Sequence, residues 1–241
     1  MARLSAELRL LLRSLTDFLF PPLCFGCNEE IESGLICESC RLLLFTSELG
    51  VCPNCGWPTL PGGATTRPCR SQFSLSRVRA LGLYQKPFPG LVHALKYSSK
   101  TSLALTLGHA LAALAGQDTE LANADAVCAV PLHPARLRER GYNQSELLAQ
   151  VVAADLGKPL ISPIVRRKNT KTQTAIQSEQ ERIENLRDAF AVKPGVKLAG
   201  QQLILVDDVT TSGATLDAAG KRLLETGASA VLGLVVAAAV H

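Results

Sequence analysis

The sequence predicts an α/β protein: a parallel sheet of about five strands with helices on both faces, preceded by a small cysteine-rich module. Two observations predict the sheet. Short apolar runs have the length of buried strands, and stretches of helical character separate these runs along the chain. The predicted strands are residues 79–84, 126–130, 189–192, 203–206 and 230–240, and the predicted helices are 91–97, 102–115, 143–156, 179–187 and 214–226. The third observation is that seven of the eight cysteines lie between residues 24 and 69, which marks the separate module.

An N-terminal helix is predicted for the first part of the chain, which we set at residues 1–22. Leucine and phenylalanine recur at helical spacing between residues 5 and 19, and Pro21 and Pro22 end the pattern. Such a helix either packs on its own protein or docks on a partner or membrane surface. We set the cysteine-rich zinc-ribbon domain at 23–75 and the α/β domain at 76–241, with the boundary after a stretch rich in proline, glycine and threonine.

Two Cys-x2-Cys pairs near the start of the cysteine-rich domain predict a zinc site. Cys24 and Cys27 form one pair and, after nine residues, Cys37 and Cys40 form the other. Each pair can present two thiolates to one ion, and two pairs complete a tetrahedron. Clustered cysteines in a reducing compartment are metal ligands more often than disulfides, so we expect zinc here.

A second zinc site is incomplete in the sequence. Cys52 and Cys55 form a third pair, but Cys69 follows alone, and Gln72 stands where a partner cysteine would be expected. Because glutamine is a poor zinc ligand, a second ion needs a substitute fourth ligand or water, or it has been lost. Paired ribbons of this kind usually act as structural staples, and contact with nucleic acid is the alternative.

Three arginines follow the predicted strand at 126–130, on the side where open α/β sheets bind their ligands. Arg136, Arg138 and Arg140 occupy alternate positions ahead of Gly141. Guanidinium groups bind phosphate through paired hydrogen bonds, so we interpret the segment as a pyrophosphate-binding loop. The alternative is a solvated basic turn before the next helix.

A long polar and basic stretch at residues 162–178 predicts a mobile surface loop. It holds Arg166, Arg167, Lys168 and Lys171 but no acidic residue. Over a phosphate site such a loop would close as a lid and exclude water, with Lys168 and Lys171 as its candidate contacts. A plain solvated linker is the alternative.

The strongest chemical signal follows the predicted strand at 203–206. Asp207 and Asp208 come directly after it, and a loop of small residues leads into the helix at 214–226. Adjacent carboxylates can accept hydrogen bonds from a vicinal diol such as that of ribose, and magnesium nearby would offset their charge. The loop offers hydroxyls and backbone N–H groups to a phosphate at Thr210, Thr211, Ser212, Gly213, Ala214 and Thr215. The simpler alternative is a solvated aspartate pair followed by a helix cap.

Composition sets weak limits on partners and location. The net charge of +4 and the isoelectric point of about 8.7 allow a phosphate or nucleic-acid partner, whereas 5% aromatic residues show no platform for stacked bases. Charged residues interrupt the apolar pattern of the first twenty positions, so no export signal is expected. No apolar stretch is long enough to span a membrane, and we expect a cytoplasmic protein.

The stretch Asp207-Asp208-Val209-Thr210-Thr211-Ser212-Gly213-Ala214-Thr215 resembles the signature of type I phosphoribosyltransferases. The resemblance implies that the two acids hold the ribose of phosphoribosyl pyrophosphate (PRPP) and that the loop holds its 5′-phosphate. Nearly the whole chain is similar to the ComF (GntX-like) competence-associated family, in which a cysteine-rich ribbon precedes a phosphoribosyltransferase domain. The matching stretches are residues 20–24, 94–97, 130–132, 140–145 and 185–190, besides the aspartate motif.

The second resemblance implies a role in natural transformation or in the use of external DNA, with single-stranded DNA or competence and DNA-uptake proteins as partners. Two hypotheses follow. In the first, a nitrogen nucleophile that the sequence does not identify attacks C1 of PRPP while the arginines stabilise the departing pyrophosphate. In the second, the protein is a non-catalytic DNA-uptake module that keeps the ribose-phosphate site as a sensor or a nucleic-acid contact.

Overall fold

The structure, a computed structural model, describes residues 21–69, 73–167 and 189–240. Several predicted features lie outside the described residues. They are the helical pattern at 5–19, the helix at 179–187, Gln72, and the candidate lid residues Lys168 and Lys171.

The cysteine-rich part contains little regular structure. It has one short helix, α1 (Glu38–Leu44), and a two-stranded antiparallel hairpin of β1 (Gly50–Val51) and β2 (Pro58–Thr59). Tight turns carry the cysteines: the N–H of Asn28 donates to the carbonyl of Cys24 at 2.8 Å, and that of Gly56 to Cys52 at 2.9 Å. A small unit with so little core is typically fixed by metal ligands.

A five-stranded parallel sheet forms the centre of the α/β domain, as predicted. Its strands are β3 (Arg77–Leu83), β4 (Ala126–Ala129), β5 (Leu160–Ile161), β8 (Gln202–Thr210) and β9 (Ala230–Ala238). Their order across the sheet is β3-β9-β8-β4-β5, and every neighbouring pair is parallel. The sequence did not indicate β5, which has only two residues.

The predicted strand at 189–192 exists as β7 (Phe190–Val192), but it does not join the main sheet. It pairs antiparallel with β6 (Ile164–Arg166), which lies inside the stretch predicted to be a mobile loop. The loop prediction is therefore wrong for residues 164–166. Ile164 and Phe190 are buried there, so apolar burial orders a segment whose basic neighbours suggested solvent.

The helices predicted within the described residues are confirmed, and two more appear. The described helices of this domain are α2 (Phe88–Tyr97), α3 (Leu103–Gly116), α4 (Thr119–Ala122), α5 (Pro134–Arg140), α6 (Gln144–Asp155) and α7 (Ala214–Glu225). The unpredicted ones are α4 and α5. Pro134 suits the first turn of α5, because its missing N–H would have no partner there, and Gly141 ends the helix in the left-handed conformation.

The central strand β8 faces two separate cores. Ile204 and Val206 pack with leucines of α2, α3 and α6, whereas Leu203 and Leu205 pack with α7, β6, β7 and the second half of the cysteine-rich part. This alternation is the period of a strand buried on both faces. It continues past Val206, because β8 keeps its register with β9 to Thr210.

The cysteine-rich part packs directly on the α/β domain. The N–H of Val78 in edge strand β3 donates to the carbonyl of Gly56 at 2.7 Å, and the hydroxyl of Ser47 donates to the carbonyl of Ala80 at 2.9 Å. Elsewhere, the backbone of Gly90 in α2 lies so close to the carbonyl of Phe25 that a Cβ on Gly90 would overlap it. The two parts therefore touch through backbone groups as well as side chains.

This close approach predicts the effect of a methyl group on α2. Gly90→Ala should lower the free energy of unfolding by about 1–3 kcal/mol, since the added Cβ meets a backbone carbonyl that cannot move alone. Gly116→Ala is the matched control, because a Cβ there meets no atom within 4 Å and alanine favours the helix. Urea denaturation checks both, and equal stability of the two variants would contradict the packing described.

Candidate functional site

The acid pair lies among the last residues of β8 and not after the strand. Asp207 and Asp208 are both buried, although the sequence placed them beyond a strand ending at Val206. One oxygen of Asp207 accepts two hydrogen bonds: from the hydroxyl of Ser145 at 2.8 Å and from the N–H of Asp208 at 2.9 Å. The first carboxylate is therefore held in place from the start of α6.

Lys96, at the end of α2, is the direct partner of the second carboxylate. Its Nζ lies 2.9 Å from Oδ1 of Asp208. Burial disfavours the charge on this lysine, but Asp208 outweighs that effect and raises its pKa above the ordinary value. Sequence reasoning assigned no role to Lys96; its one signal was its place in the 94–97 stretch that supports the family resemblance.

The other oxygen of Asp208 is left for a ligand. Oδ2 is buried and has no hydrogen-bond partner within the described part of the chain. A buried acceptor without a donor is costly, so such an oxygen is expected to meet a hydroxyl or a cation when the site is filled. Carboxylate oxygens are the ligands that magnesium prefers, and the acid pair therefore fits both a ribose diol and Mg²⁺.

Burial also perturbs the first carboxylate. The pKa of Asp207 is raised to about 7, first by burial and then by the negative charge of Asp208 beside it. Ser145, Lys96 and the N–H of Asp208 each act in the opposite direction. The pair therefore holds a proton near neutral pH more readily than two exposed aspartates would.

The loop after β8 has the geometry of an anion site at a helix start. Gly213 has a φ of +82° and is the N-cap of α7, a helix of 12 residues, and as a glycine it offers no side chain to cap the first turn. Ser212 lies near the N–H of Ala214 at 3.5 Å, and Thr211 is exposed. The loop and the first turn of α7 follow the acid pair directly, and the binding of phosphate by Thr210, Thr211, Ser212, Gly213, Ala214 and Thr215 stays a prediction.

The three candidate arginines lie on helix α5, so the predicted loop is wrong. Successive helical residues turn by about 100°, which places Arg136 and Arg140 on one face and Arg138 on the opposite one. Arg136 and Arg140 are half-buried and Arg138 is exposed. The structure therefore brings two of the three together.

Arg140 and its neighbours connect α5 to the lysine-bearing helix. Its guanidinium donates to the side-chain oxygen of Gln144 and lies 5.1 Å from the ring centre of Tyr97. The hydroxyl of Tyr142 donates to the carbonyl of Leu95, one residue before Lys96. The 140–145 and 94–97 stretches, distant in sequence, thus meet at the acid pair.

Arg166 is a further cation that sequence reasoning grouped with the lid. It lies in β6 with its guanidinium carbon 5.5 Å from the ring centre of Phe190. Burial lowers its pKa, the negative charge of Asp207 opposes that shift and the positive charge of Arg136 adds to it. Arg166 is therefore within electrostatic reach of both Asp207 and Arg136.

His133 joins the two basic segments. Its Nδ1 accepts from the N–H of Ala135 at the start of α5, and its Nε2 lies 3.2 Å from the carbonyl of Arg167. One tautomer satisfies both contacts, with Nε2–H donating. The first residue after β6 is therefore fixed to the arginine helix.

The first four cysteines form one compact cluster. The sulfur atoms of Cys24, Cys27, Cys37 and Cys40 all lie within 4.8 Å of one another. The N–H groups of Gly26 and Cys37 donate to the sulfur of Cys24 at 3.3 and 3.2 Å. Burial opposes ionisation of Cys24, but these donors outweigh it and lower its pKa to about 6. Four thiols with thiolate-stabilising amides fit a tetrahedral zinc ion.

The second cluster has three cysteines. The sulfurs of Cys52, Cys55 and Cys69 also lie within 4.8 Å of one another, with 3.9 Å between Cys52 and Cys69. Within the described residues no histidine, carboxylate or further cysteine completes this group. Three thiols fit zinc that takes its fourth ligand from elsewhere.

Family comparisons agree with this architecture. Residues 15–71 match the double zinc ribbon domain, and residues 143–241 match the phosphoribosyl transferase domain. The parallel sheet with its flanking helices and the two cysteine clusters define the class: a phosphoribosyltransferase-type α/β domain behind a double zinc ribbon.

Individual relatives extend over most of the chain. DNA utilization protein YhgH of Salmonella typhi is 32% identical over 221 residues, which are 88% of this chain and 94% of that protein. Competence protein F of Haemophilus influenzae is 30% identical over 213 residues, 85% of each chain. Competence protein ComFC of Bacillus subtilis is 38% identical over 103 residues, 42% of this chain and 39% of its own. The chain belongs to the ComF/YhgH-like family of competence and DNA utilization proteins.

The helices of the described residues include no membrane span. Each helix there is too short or too polar to cross a bilayer.

The cysteine geometry predicts bound zinc. Protein purified without added zinc should contain about one zinc ion per chain or more, measured by elemental analysis. Cys37→Ser should lower the content by about one ion, because it removes one of four ligands from the first cluster. Cys128→Ala should leave it unchanged, since Cys128 is buried in β4 away from both clusters. A well-folded protein without zinc would contradict this prediction.

The raised pKa of Asp207 predicts a pH dependence of stability. An aspartate that titrates near 3.8 when unfolded and near 7 when folded binds more protons in the folded state between these values. Stability from this group is complete below the unfolded pKa and declines as pH rises toward 7, by at most about 1.4 kcal/mol per pH unit. Urea denaturation from pH 4 to 8 should show the wild type losing stability relative to Asp207→Asn; parallel curves would rule this out.

Proposed function

We propose that the protein binds PRPP, or a closely related ribose phosphate, together with magnesium at the carboxyl end of β8. The observation that supports this most directly is the unpartnered Oδ2 of buried Asp208, in the strand that leads into the loop and the N-terminus of α7. A diol or cation at the carboxylates and a phosphate at the loop would satisfy both groups. A sugar phosphate contains both a diol and a phosphate.

The acid pair would recognise the ribose. Asp207 is oriented by Ser145, and Asp208 by Lys96, so the two carboxylates present fixed oxygens to the 2′ and 3′ hydroxyls. Magnesium, when bound, would supply positive charge that neutralises the acids and the pyrophosphate oxygens. Lys96 already balances part of the negative charge, so the pair is tolerated before any ligand arrives.

The remaining groups would hold the two phosphate ends. Residues from Thr211 to Thr215 would bind the 5′-phosphate through N–H groups and hydroxyls at the start of α7. Arg136 and Arg140, with Arg166 nearby, would bind the pyrophosphate. Arg138 points away on the opposite face of α5, and we leave it out of the phosphate site.

A transfer reaction is the proposed chemistry. A nitrogen nucleophile would attack C1 of the ribose, the C1–O bond to pyrophosphate would break, and the electron pair would leave with the pyrophosphate oxygen. Arg136, Arg140 and Arg166 would stabilise that growing negative charge, while Asp207 and Asp208 would hold the ribose still. The described residues reveal no pocket for a particular nucleobase, so the acceptor is left open.

We place this site in DNA utilization in the cytoplasm. The supports are the names of the relatives and a cysteine spacing that suits metal ligands in a reducing compartment. A second candidate is a non-catalytic module that contacts single-stranded DNA and uses the ribose-phosphate site as a sensor. Arg138, exposed on the face of α5 opposite to the half-buried arginines, favours this candidate because it can reach a DNA backbone.

Calorimetric titration of PRPP with magnesium tests the proposed site. The wild type should bind, and the Asp207→Asn/Asp208→Asn variant should lose affinity by about a hundredfold or more, since two charged hydrogen-bond acceptors disappear. PRPP binding by Lys96→Met should depend on magnesium more strongly than PRPP binding by the wild type. In this variant magnesium has to balance the charge of Asp208 without the help of the lysine. Arg138→Gln should match the wild type.

This titration, repeated with labelled single-stranded DNA and with a nitrogen acceptor, has three outcomes that distinguish the candidates. If the well-folded wild type does not bind PRPP, the phosphoribosyl site is refuted. If PRPP binds and displaces labelled single-stranded DNA, and Arg138→Gln weakens only the DNA, the sensor module is favoured over the transferase. PRPP binding without DNA binding, with pyrophosphate released on adding a nitrogen acceptor, favours the transferase.

A further inference from the structure

The single tryptophan of the chain lies between the second cysteine cluster and the phosphate loop. Trp57 follows Cys55 by two residues and is fully buried. Its N–H donates to the hydroxyl of Thr66 at 2.8 Å, and its ring meets that of Phe73 edge to face at 5.1 Å. A side chain of this size, held on several sides, has little freedom to shift alone.

On one side, the ring of Trp57 supports the phosphate loop. A Cβ added to Gly213 would lie 2.7 Å from one ring carbon and 2.8 Å from another, and 3.1 Å from Phe73. Gly213 also has a φ of +82°, which side chains rarely adopt. The loop therefore takes its shape by resting its backbone directly on the indole ring.

The next turn of α7 is tied to the same region. Asp217 accepts a hydrogen bond from the N–H of Ser74 at 2.8 Å and another from the Ser74 hydroxyl. Because Asp217 lies one turn beyond Gly213, the start of α7 is fixed at two points, by the rings of Trp57 and Phe73 and by Ser74. A shift of these side chains would move the N–H groups at the start of α7.

On the other side, Trp57 is part of the metal knuckle. The N–H of Cys52 donates to the carbonyl of Trp57 at 2.8 Å, and the N–H of Gly56 to the carbonyl of Cys52 at 2.9 Å. The guanidinium carbon of Arg67 lies 4.0 Å from the ring centre of Trp57, and Cys69 follows Arg67 by two residues. The cluster thus has two arms, residues 52–55 and residue 69. The first is hydrogen-bonded to the backbone of Trp57, and the second follows an arginine that lies over the indole ring.

We propose that metal binding at Cys52, Cys55 and Cys69 and phosphate binding at residues 211–215 are thermodynamically linked through Trp57. Zinc that gathers the three thiolates fixes the arms that hold the ring, and the ring fixes the loop. Without the metal, hydrogen bonds such as that from the N–H of Thr66 to the carbonyl of Pro58 at 3.1 Å still join the arms, but the three sulfur atoms are no longer held to one point and the ring supports the loop less firmly. The inference rests on the proposed PRPP site, and it makes Trp57 a positioning residue for that site.

Linkage has to work in both directions. If zinc at the second cluster tightens PRPP binding by a given factor, PRPP must tighten zinc binding there by the same factor. A general loss of structure would obey the same reciprocity, so the comparison of a variant of the second cluster with a variant of the first cluster separates the two cases.

The test measures PRPP affinity in full-length protein with the second cluster intact or broken. Cys69→Ser removes one thiolate from the second cluster, and Cys37→Ser does the same in the first cluster as the matched control. With magnesium in excess, fluorescence of Trp57 and calorimetry should show PRPP binding about fivefold or more weaker in Cys69→Ser than in Cys37→Ser. Wild-type protein should release zinc to a chromophoric chelator more slowly when PRPP is present.

Substitution of the ring gives an independent readout. Trp57→Phe keeps an aromatic contact with Gly213, whereas Trp57→Leu loses it, so Phe should preserve zinc-dependent PRPP affinity better than Leu. Equal PRPP affinity in wild type, Cys69→Ser and Cys37→Ser would refute the linkage and leave the PRPP site standing. Absence of PRPP binding by zinc-loaded wild type would refute the PRPP site and the linkage together.

Discussion

Two adjacent carboxylates buried at the end of one strand are the constraint to which the rest of the α/β domain conforms. Removing two negative charges from water is costly unless nearby groups compensate them. Here Lys96 pairs with one carboxylate, Ser145 and a backbone N–H hold the other, and the raised pKa of Asp207 reduces the charge further. Each compensating group comes from a different segment, so the site exists only when α2, α6 and β8 are packed together.

The fold could be predicted from local patterns because its strands and helices are buried in a regular way. The runs at 203–206 and 230–240 are apolar on both faces, and the helices at 102–115 and 143–156 carry continuous apolar surfaces. The short elements could not be predicted, for the opposite reason. Strand β5 has two residues, and β6 lies among basic residues whose charge hid the burial of Ile164.

The acid pair, the small-residue loop and the cysteines were predictable because each is contiguous or regularly spaced in the sequence. Lys96 and Trp57 were not, since neither belongs to a motif of its own and each acquires its role from a contact across more than a hundred residues of chain. The prediction that Arg138 joins Arg136 and Arg140 failed for a different reason. Three arginines at alternate positions lie on one surface only if the segment is extended. In helix α5 the same spacing separates Arg138 from the other two.

One structural feature also bears on how this sheet avoids unwanted association. Strand β3 is at the sheet's edge, where unpaired backbone groups normally invite pairing with another chain. Here Gly56 and Ser47 occupy backbone positions along that edge, at Val78 and Ala80. The cysteine-rich part therefore shields an aggregation-prone border, and a chain that lacked this part would expose the edge of the sheet to pairing with other molecules.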